Sequence, residues 1–176
     1  MQIRKTEIAG VCLIDAEPAV DARGAFARLY CPDELGAAGI AFVAAQTSLS
    51  RNPAVLTLRG MHYQAPPRAE AKLVHVTQGA IFDVALDLRP DSPTFRRWLG
   101  VRLDATALSA LFIPEGCAHG FLTLAPDTDV LYHISRKFEP GWGLGVRWDD
   151  PAFAIDWPAP PEVISERDAG YADFGG

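Results

Sequence analysis

The fold of this chain is indicated most clearly by residues 110–124, which read ALFIPEGCAHGFLTL. Two apolar runs, 110–113 and 120–124, have the length of short buried strands, and Pro114 and Gly116 mark a turn between them. His119 lies just before the second run, where a strand would meet its loop. The stretch therefore predicts two strands joined by a turn, with a reactive side chain at the junction.

Similar short apolar runs recur on both sides of this stretch, separated by Gly, Pro or Asp. In residues 80–88 the even positions from Phe82 to Leu88 are apolar, whereas Asp83 and Asp87 fall on the other face, which predicts a half-buried strand. About ten strands of this kind are typical of a sandwich or barrel, so we expect an all-β fold. The other predicted strands are residues 11–15, 26–30, 40–45, 54–58, 72–77, 98–103 and 130–135.

One helix and a C-terminal tail complete the predicted outline. Residues 32–38 begin with Pro, carry two acidic residues in the first turn and precede Gly39, which together favour a short helix. From position 158 the chain becomes Pro-rich and then polar. A tail of this kind is predicted to be extended, to end in a small capping element and to be able to close a barrel mouth.

Composition limits the size and the class of the protein. The 176 residues are 49% hydrophobic, so we expect a single domain over residues 1–176. A net charge of -6 without a basic stripe argues against nucleic acid as a partner. Cys12, Cys31 and Cys117 have no disulfide or metal-ligand spacing, and no apolar run has the length of a signal peptide or membrane span. We therefore expect no membrane partner and a cytoplasmic location.

A Pro-x-Gly-x-x-His spacing that ends at His119 resembles the second conserved box of cupins, which are double-sheet jelly-roll barrels. A metal-binding cupin adds a first box with two His one residue apart and a Glu, but here His62 is followed by Tyr and Gln. His75 does not supply the missing ligand, since it is an odd number of strand positions from Lys72 and is expected to face the opposite side. We therefore predict that no metal is bound.

A series of motifs follows in order along nearly the whole chain. They are residues 21–24 (DARG), 58–64 (LRGMHYQ), 72–74 (KLV), 79–84 (GAIFDV), 87–89 (DLR), 92–95 (SPTF), 113–122 (IPEGCAHGFL), 147–148 (RW), 150–151 (DP), 155–158 (IDWP) and 165–168 (SERD). In order and spacing these motifs closely resemble the dTDP-4-dehydrorhamnose 3,5-epimerase family. The resemblance implies a cupin-type barrel with a short helix and a C-terminal extension, acting as an isomerase in deoxysugar biosynthesis without a cofactor.

The reaction implied by the resemblance inverts carbon 3, carbon 5 or both of a nucleotide-linked 4-keto-6-deoxyhexose, with dTDP-4-keto-6-deoxy-D-glucose as the expected substrate. Removing a hydrogen beside a ketone leaves an enolate, so such an enzyme needs a base, a stabiliser of negative charge and an acid on the other face. The resemblance implies His62 as the base, Asp168 as its partner, Lys72 and His119 as enolate stabilisers, and Tyr132 as the acid.

The resemblance also implies how the ligand is held and how the chain assembles. Arg suits a diphosphate because its guanidinium can donate two parallel hydrogen bonds. The implied contacts are Arg23, Gln46 and Arg59 with the diphosphate and base, and Phe26 and Phe138 with the pyrimidine ring. Relatives pair by adding N-terminal strands to the partner's sheet, so a homodimer is expected.

Several positions depart from the family pattern. Arg28 stands where Glu is usual, Ser48 where the family has Asn, and Phe138 where a Tyr is expected. Residues 141–145, GWGLG, replace a run of acidic and basic residues. These positions belong to the substrate side rather than to the proton-transfer set, so they leave the nucleotide, the sugar and the number of inverted carbons open.

Each candidate residue also has a structural interpretation. A lone His beside a Gly turn is more often a hydrogen-bonded structural residue, and only the surrounding motif favours catalysis for His62. His119 is balanced between a core and a catalytic role, while His75 and His133 are predicted to be structural. Three other functions are compatible with the fold: a nucleotide-sugar 3,4-ketoisomerase, a non-catalytic cupin that binds a sugar nucleotide, and a metal-dependent cupin dioxygenase.

Overall fold

The computed structural model describes residues 1–175, which form two six-stranded sheets, a separate hairpin and two short helices. The strands are β1 (Gln2–Lys5), β2 (Cys12–Asp15), β3 (Ala19–Asp21), β4 (Gly24–Phe26), β5 (Gln46–Asn52), β6 (Thr57–Gln64), β7 (Lys72–Gln78), β8 (Ala80–Asp87), β9 (Trp98–Asp104), β10 (Ser109–Ile113), β11 (Cys117–Thr123), β12 (Thr128–Ile134), β13 (Gly143–Gly145) and β14 (Val163–Ile164). The helices are α1 (Pro32–Ala37) and α2 (Glu166–Ala169). Neither helix within the described range has the length and apolar character needed to cross a bilayer.

The two large sheets face each other and enclose the main core. The first sheet has the strand order β1-β2-β10-β7-β12-β5, and the second has the order β13-β6-β11-β8-β9 with β14 pairing to β6. Apolar side chains from both sheets, such as Val74 and Ile81, pack into one buried cluster between them. Strands adjacent in space are mostly distant in sequence, as in a jelly roll. The predicted all-β double-sheet barrel is therefore confirmed.

Strand β8 corrects the expectation of a half-buried strand at residues 80–88. Asp83 and Asp87 are both 0% exposed and face the space between the sheets, not solvent. The apolar face, with Phe82 and Val84, is instead covered by the C-terminal segment around Phe153. The alternation was therefore real, but both faces are buried because the chain folds back over the outside of the second sheet.

Some predicted strands are absent from the structure, because their apolar side chains cover the outer face of a sheet instead of belonging to a strand. Residues 40–45 and 27–30 form no strand, although Ile40 and Phe42 are buried against the outer face of the first sheet. Conversely, β5 was not predicted, because its sequence QTSLSRN is polar and it lies at a sheet edge. The predicted strand at 54–58 begins only at Thr57, after a turn. The helix predicted at 32–38 is confirmed as α1.

The C-terminal tail returns to the second sheet and ends in α2. Strand β14 pairs in parallel with the start of β6, at Val163 opposite Thr57. Ser165 then caps α2, since its hydroxyl accepts the backbone N–H of Asp168 at 3.1 Å. The cap fixes the side chain of Asp168 on the inner side of the helix, where it is 5% exposed. The tail thus carries a carboxylate to β6 across more than 100 positions of sequence, since Asp168 hydrogen-bonds the backbone N–H of Gly60.

His75 in β7 is buried on the face opposite to Lys72, as the strand alternation predicts. It is 3% exposed, and neither ring nitrogen has a hydrogen-bond partner in residues 1–175. Burial, together with the nearby ring of His133, lowers the pKa of His75 to about 4. In the unfolded chain the imidazole has its ordinary pKa, so as the pH falls it is protonated there before it is protonated in the folded protein. The free energy of unfolding should therefore fall as the pH falls from the ordinary pKa of His towards the lowered pKa of His75.

We expect His75→Leu to reduce this sensitivity to acid. As the pH falls from about 7 to about 5, protonation of this histidine in the unfolded chain alone lowers the free energy of unfolding by about 2 kcal/mol. Urea unfolding at both values measures the loss, which should be smaller in the Leu variant by about that amount. Equal losses in the two proteins would show that His75 is not the group that titrates.

Candidate active site

One end of the barrel opens into a cavity of about 330 Å³ between the two sheets. Strand β6 supplies one wall, the first sheet supplies the opposite wall through β5, β7 and β12, and α2 and β13 form part of the rim. The cavity is lined by Ser48, Ser50, Arg59, His62, Tyr63, Gln64, Glu70, Lys72, His119, Tyr132, Ile134, Phe138, Gly143, Leu144 and Arg167. All five predicted catalytic residues lie here, four in the lining and Asp168 directly behind His62.

His62 and Asp168 form a hydrogen-bonded pair in the cavity wall. Nε2 of His62 lies 2.7 Å from Oδ1 of Asp168, and Oδ2 accepts the backbone N–H of Gly60 at 3.0 Å. Burial raises the pKa of Asp168, but the hydrogen bonds from His62 and Gly60 outweigh it, so the net pKa is lowered. An ionised carboxylate fixes the proton on Nε2, which leaves Nδ1 of His62 as the nitrogen that can accept a proton.

Two glycines allow β6 and β11 to approach closely beside this pair. A Cβ placed on Gly60, whose φ is +130°, would lie 2.5 Å from the Cα of Gly120. The β6–β11 ladder also changes register between His119 and Phe121. This close crossing places His119 directly opposite His62 on the neighbouring strand.

His119 forms a second imidazole–carboxylate pair deeper in the cavity. Its Nε2 lies 2.7 Å from Oδ1 of Asp83, and the two residues are 4% and 0% exposed. The ring of Tyr132 packs edge-on against His119, with 5.7 Å between the ring centroids. Burial, and the negative charge of Asp83, raise the pKa of Tyr132, so its phenol stays protonated at neutral pH.

Lys72 and Tyr132 lie in neighbouring strands of the first sheet. Tyr132 is opposite Val74, two positions beyond Lys72 and therefore on the same face. Nζ of Lys72 donates to the backbone oxygen of His62 at 3.2 Å and lies 3.1 Å from Oε1 of Glu70. The cavity thus has an unprotonated imidazole nitrogen, an ammonium group and a phenol on walls that face each other. Such groups can remove a proton, stabilise negative charge and return a proton.

The predicted ligand contacts divide between the cavity and the surface. Arg59 and Phe138 line the cavity, and Nε of Arg59 is fixed by Oδ1 of Asn52 at 2.8 Å. Gln46 does not line it, but its Oε1 accepts the backbone N–H of Phe138 at 3.1 Å. Gln46 therefore supports the cavity rim from behind.

Arg23 and Phe26 lie outside the cavity of their own chain. Both belong to the hairpin of β3 and β4, which pairs with neither large sheet. Phe26 is 80% exposed, and Arg23 contacts Asp21 on the same hairpin. Within one chain, Arg23 and Phe26 therefore lie away from the cavity residues. Their predicted contact with the ligand stays a prediction.

Several residues in the cavity or directly behind its lining were not predicted from the sequence. Asp83 was placed on a solvent face of β8, and Glu70 lies in a Pro-containing loop without a strand pattern. Arg167 is adjacent to Asp168 in the SERD motif, which could have indicated it, and its guanidinium lies 5.9 Å from the ring centroid of Tyr171. Tyr171 itself packs edge-on behind His62, with 6.3 Å between the ring centroids.

Comparisons with known proteins agree with these features. A family model described as dTDP-4-dehydrorhamnose 3,5-epimerase matches residues 5–175. A dTDP-4-dehydrorhamnose 3,5-epimerase of Sinorhizobium fredii is 37% identical over 172 residues, covering 96% of this chain and 87% of the relative. The crystal structure of a Bacillus anthracis dTDP-4-dehydrorhamnose 3,5-epimerase with TDP and PPi bound has a TM-score of 0.95 at 36% identity, covering 98% and 99% of the chains. A Legionella pneumophila dTDP-6-deoxy-D-glucose-3,5-epimerase in complex with dTDP-4-keto-L-rhamnose has a TM-score of 0.91 at 35% identity, covering 97% and 90%.

Proposed function

The chain belongs to the dTDP-4-dehydrorhamnose 3,5-epimerase family, and on that premise we propose that it inverts carbons 3 and 5 of dTDP-4-keto-6-deoxy-D-glucose by proton transfer through His62 and Tyr132. It is an isomerase, a dTDP-sugar epimerase of deoxysugar biosynthesis. The observation that carries the proposed mechanism is that the His62–Asp168 pair and the phenol of Tyr132 border one cavity.

The proposed reaction begins with proton abstraction by His62. Nδ1 takes the hydrogen from the carbon beside the keto group, and the electron pair moves to the carbonyl oxygen as an enolate. Asp168 stabilises the imidazolium that forms, while Lys72 donates a hydrogen bond to the enolate oxygen. His119 can donate a second one only when both of its ring nitrogens carry a proton, since its Nε2 is directed to Asp83. Tyr132 then gives its proton to the same carbon from the opposite face, which inverts it. The phenolate recovers a proton from solvent, and the imidazolium releases one.

The charges of the cavity support a ligand that carries a diphosphate. Arg59 and Arg167 line the same cavity as Phe138, which is 60% exposed. Two guanidinium groups suit the phosphate oxygens, and an exposed aromatic ring suits a nucleotide base. The bound TDP of the Bacillus anthracis relative and the bound dTDP-4-keto-L-rhamnose of the Legionella pneumophila relative support a dTDP-linked substrate for this chain.

The whole chain is proposed to act as one cytoplasmic domain without a metal. The three cysteines are free, which suits a reducing compartment. Among residues 1–175, no three His, Cys, Asp or Glu side chains are grouped as a metal site would require. These features support the predictions made from the sequence.

The proposed assembly is a homodimer in which the β3–β4 hairpin of one chain completes the cavity of the other. The hairpin exposes Val20 and Phe26, 73% and 80%, and has no neighbour in either large sheet. Strand β5, which carries the cavity residues Ser48 and Ser50, is an open edge of the first sheet. An exposed hairpin and an open edge are complementary surfaces for strand addition. This arrangement would bring Arg23 and Phe26 to the partner's ligand.

Complementation between two inactive variants tests this assembly. R23A/F26A and H62A should each be nearly inactive, and co-expression of the two should restore about a quarter of the wild-type rate, because heterodimers then contain one intact site. The epimerisation rate of the co-expressed proteins, against each variant alone, measures the effect. If the hairpin served its own chain, no intact site would form and co-expression would restore nothing.

Product analysis tests the proposed reaction itself. The protein is incubated with dTDP-4-keto-6-deoxy-D-glucose, and the sugar is examined by proton NMR for the position of the carbonyl and the configuration at carbons 3 and 5. We expect an unmoved carbonyl and inverted configuration at both carbons. A carbonyl moved to carbon 3 would instead identify a ketoisomerase, and an unchanged sugar would identify a binding protein. Inversion at one carbon alone would restrict the reaction to a single epimerisation.

A further inference from the structure

A single carboxylate among the described lining residues, Glu70, stands in a cavity otherwise suited to negative charge. The lining contains Arg59, Lys72 and Arg167, besides His62 and His119. A carboxylate next to a developing enolate would oppose the reaction by Coulomb repulsion, unless its charge is already compensated. Its contacts show how it is compensated.

Glu70 is fixed at both oxygens. Oε1 lies 3.1 Å from Nζ of Lys72, and Oε2 accepts a hydrogen bond from Nε2 of Gln64 at 2.8 Å. The side chains of Glu70 and Lys72 are 10% and 9% exposed, and Gln64 is 2% exposed. Gln64 is fixed in turn, because its Oε1 accepts the backbone N–H of Glu139 at 3.2 Å. The ion pair is therefore buried and held in one geometry.

The contacts of Lys72 leave one of its hydrogen-bond donors free. An ammonium group has three N–H donors. One is donated to the backbone oxygen of His62, and Nζ also lies at ion-pair distance, 3.1 Å, from Oε1 of Glu70. These two contacts account for at most two of the three N–H groups. Lys72 lines the cavity, so the remaining donor is available to a substrate oxygen there.

We propose that Glu70 is a positioning residue that acts through Lys72, aiming one N–H at the enolate oxygen. This inference rests on the proposed function, in which Lys72 stabilises the enolate. A lysine stem is flexible, so its ammonium group needs a partner that holds it in one place. Glu70 is that partner, and pairing with Lys72 cancels the repulsion that a free carboxylate would exert on the enolate.

Kinetic analysis of E70Q, with E70D as its conservative partner, tests the inference. Loss of one charge-assisted contact to the stabilising group should lower kcat about 10- to 100-fold. KM should change little, because the diphosphate and base contacts are untouched. E70D keeps the charge and should retain more activity than E70Q. Thermal unfolding of all variants confirms that the compared proteins are folded.

A charge relocation separates positioning from simple packing. In E70Q alone, the new amide has a single oxygen and turns its NH2 group towards either Lys72 or Gln64, so part of the loss could arise from a broken Gln64 contact. The double variant Q64E/E70Q restores an acceptor and the net charge, but places the carboxylate one hydrogen bond further from Nζ of Lys72. We expect kcat to stay low in this variant. Recovery of wild-type kcat would overturn the inference.

A double-mutant cycle with Lys72 tests whether Glu70 acts through it. Solvent hydrogen exchange into the sugar, followed by NMR over long incubations, measures the residual rate of K72M and of K72M/E70Q. K72M/E70Q is expected to be no slower than K72M, because nothing remains for Glu70 to aim and its unpaired charge next to the enolate is removed. A further large loss on adding E70Q to K72M would overturn the inference. Equal kcat of E70Q and wild type would overturn it while leaving the proposed function intact, and an inactive wild type would overturn both.

Discussion

Replacing His62 with Ala is expected to lower the rate of epimerisation and of solvent hydrogen exchange by about 10³-fold or more. The substitution removes the only nitrogen in the proposed mechanism that takes the hydrogen from carbon. It also leaves the carboxylate of Asp168 without its imidazole partner, although the backbone N–H of Gly60 still holds one oxygen. Lys72 and Tyr132 remain in place but have no carbanion to stabilise or protonate.

The measurement is deuterium uptake into the sugar from heavy water, followed by NMR, alongside circular dichroism and titration with dTDP. The fold and the binding of dTDP should persist in H62A, because the fold rests on the core between the sheets and the nucleotide is held by other residues. His133→Ala is the matched control, since His133 lies on the outer face and stacks on Tyr30. It should exchange at nearly the wild-type rate. Rapid exchange in folded H62A would assign the base to another group.

Replacing Tyr132 with Phe is expected to separate hydrogen exchange from inversion. His62 can still remove the hydrogen and return a deuteron to the same face, so label should enter the sugar. Without the phenol, the opposite face lacks its acid, and inversion should fall about 10²- to 10³-fold. The ring itself is preserved, so its packing against His119 should persist.

The ratio of label uptake to inverted product is the readout for Y132F. It should be near one in the wild type and far above one in the variant. Tyr63→Phe is the matched control, because Tyr63 also lines the cavity and burial likewise raises its pKa. That variant should keep the wild-type ratio. If Y132F inverted as fast as it exchanged, the acid would have to be a different donor.

The architecture was predictable from local pattern where strands have one apolar face and a turn at each end. The runs that became β7, β9 and β10 agree with the structure to within two residues. The strand predicted at residues 40–45 was wrong, because an apolar run can also cover the face of a sheet without pairing with its strands. Only the packing of this segment against Leu73 and Phe112 distinguishes a covering segment from a strand. Polar β5 was missed because an edge strand has little apolar signal.

The site was predictable only as far as its motifs reach. The order of His62, Lys72, His119, Tyr132 and Asp168 indicated a common site, and the structure brings these five together. Asp83 and Glu70 were not predicted as part of the site. The position of Asp83 depends on which face of β8 points inwards, and the position of Glu70 depends on how the loop before β7 folds against that strand. Long-range pairing of this kind has no local sequence signal, as the Asp168–Gly60 contact also illustrates.

The most direct test of the account is the mass of the nucleotide sugar recovered from wild-type enzyme in heavy water. Proton abstraction by His62 predicts a sugar that is heavier by one deuterium at each inverted carbon, with no label in sugar incubated with H62A. Inverted product without deuterium at the inverted carbon would contradict the account, because the hydrogen would then have moved without exchanging through the imidazole and the phenol.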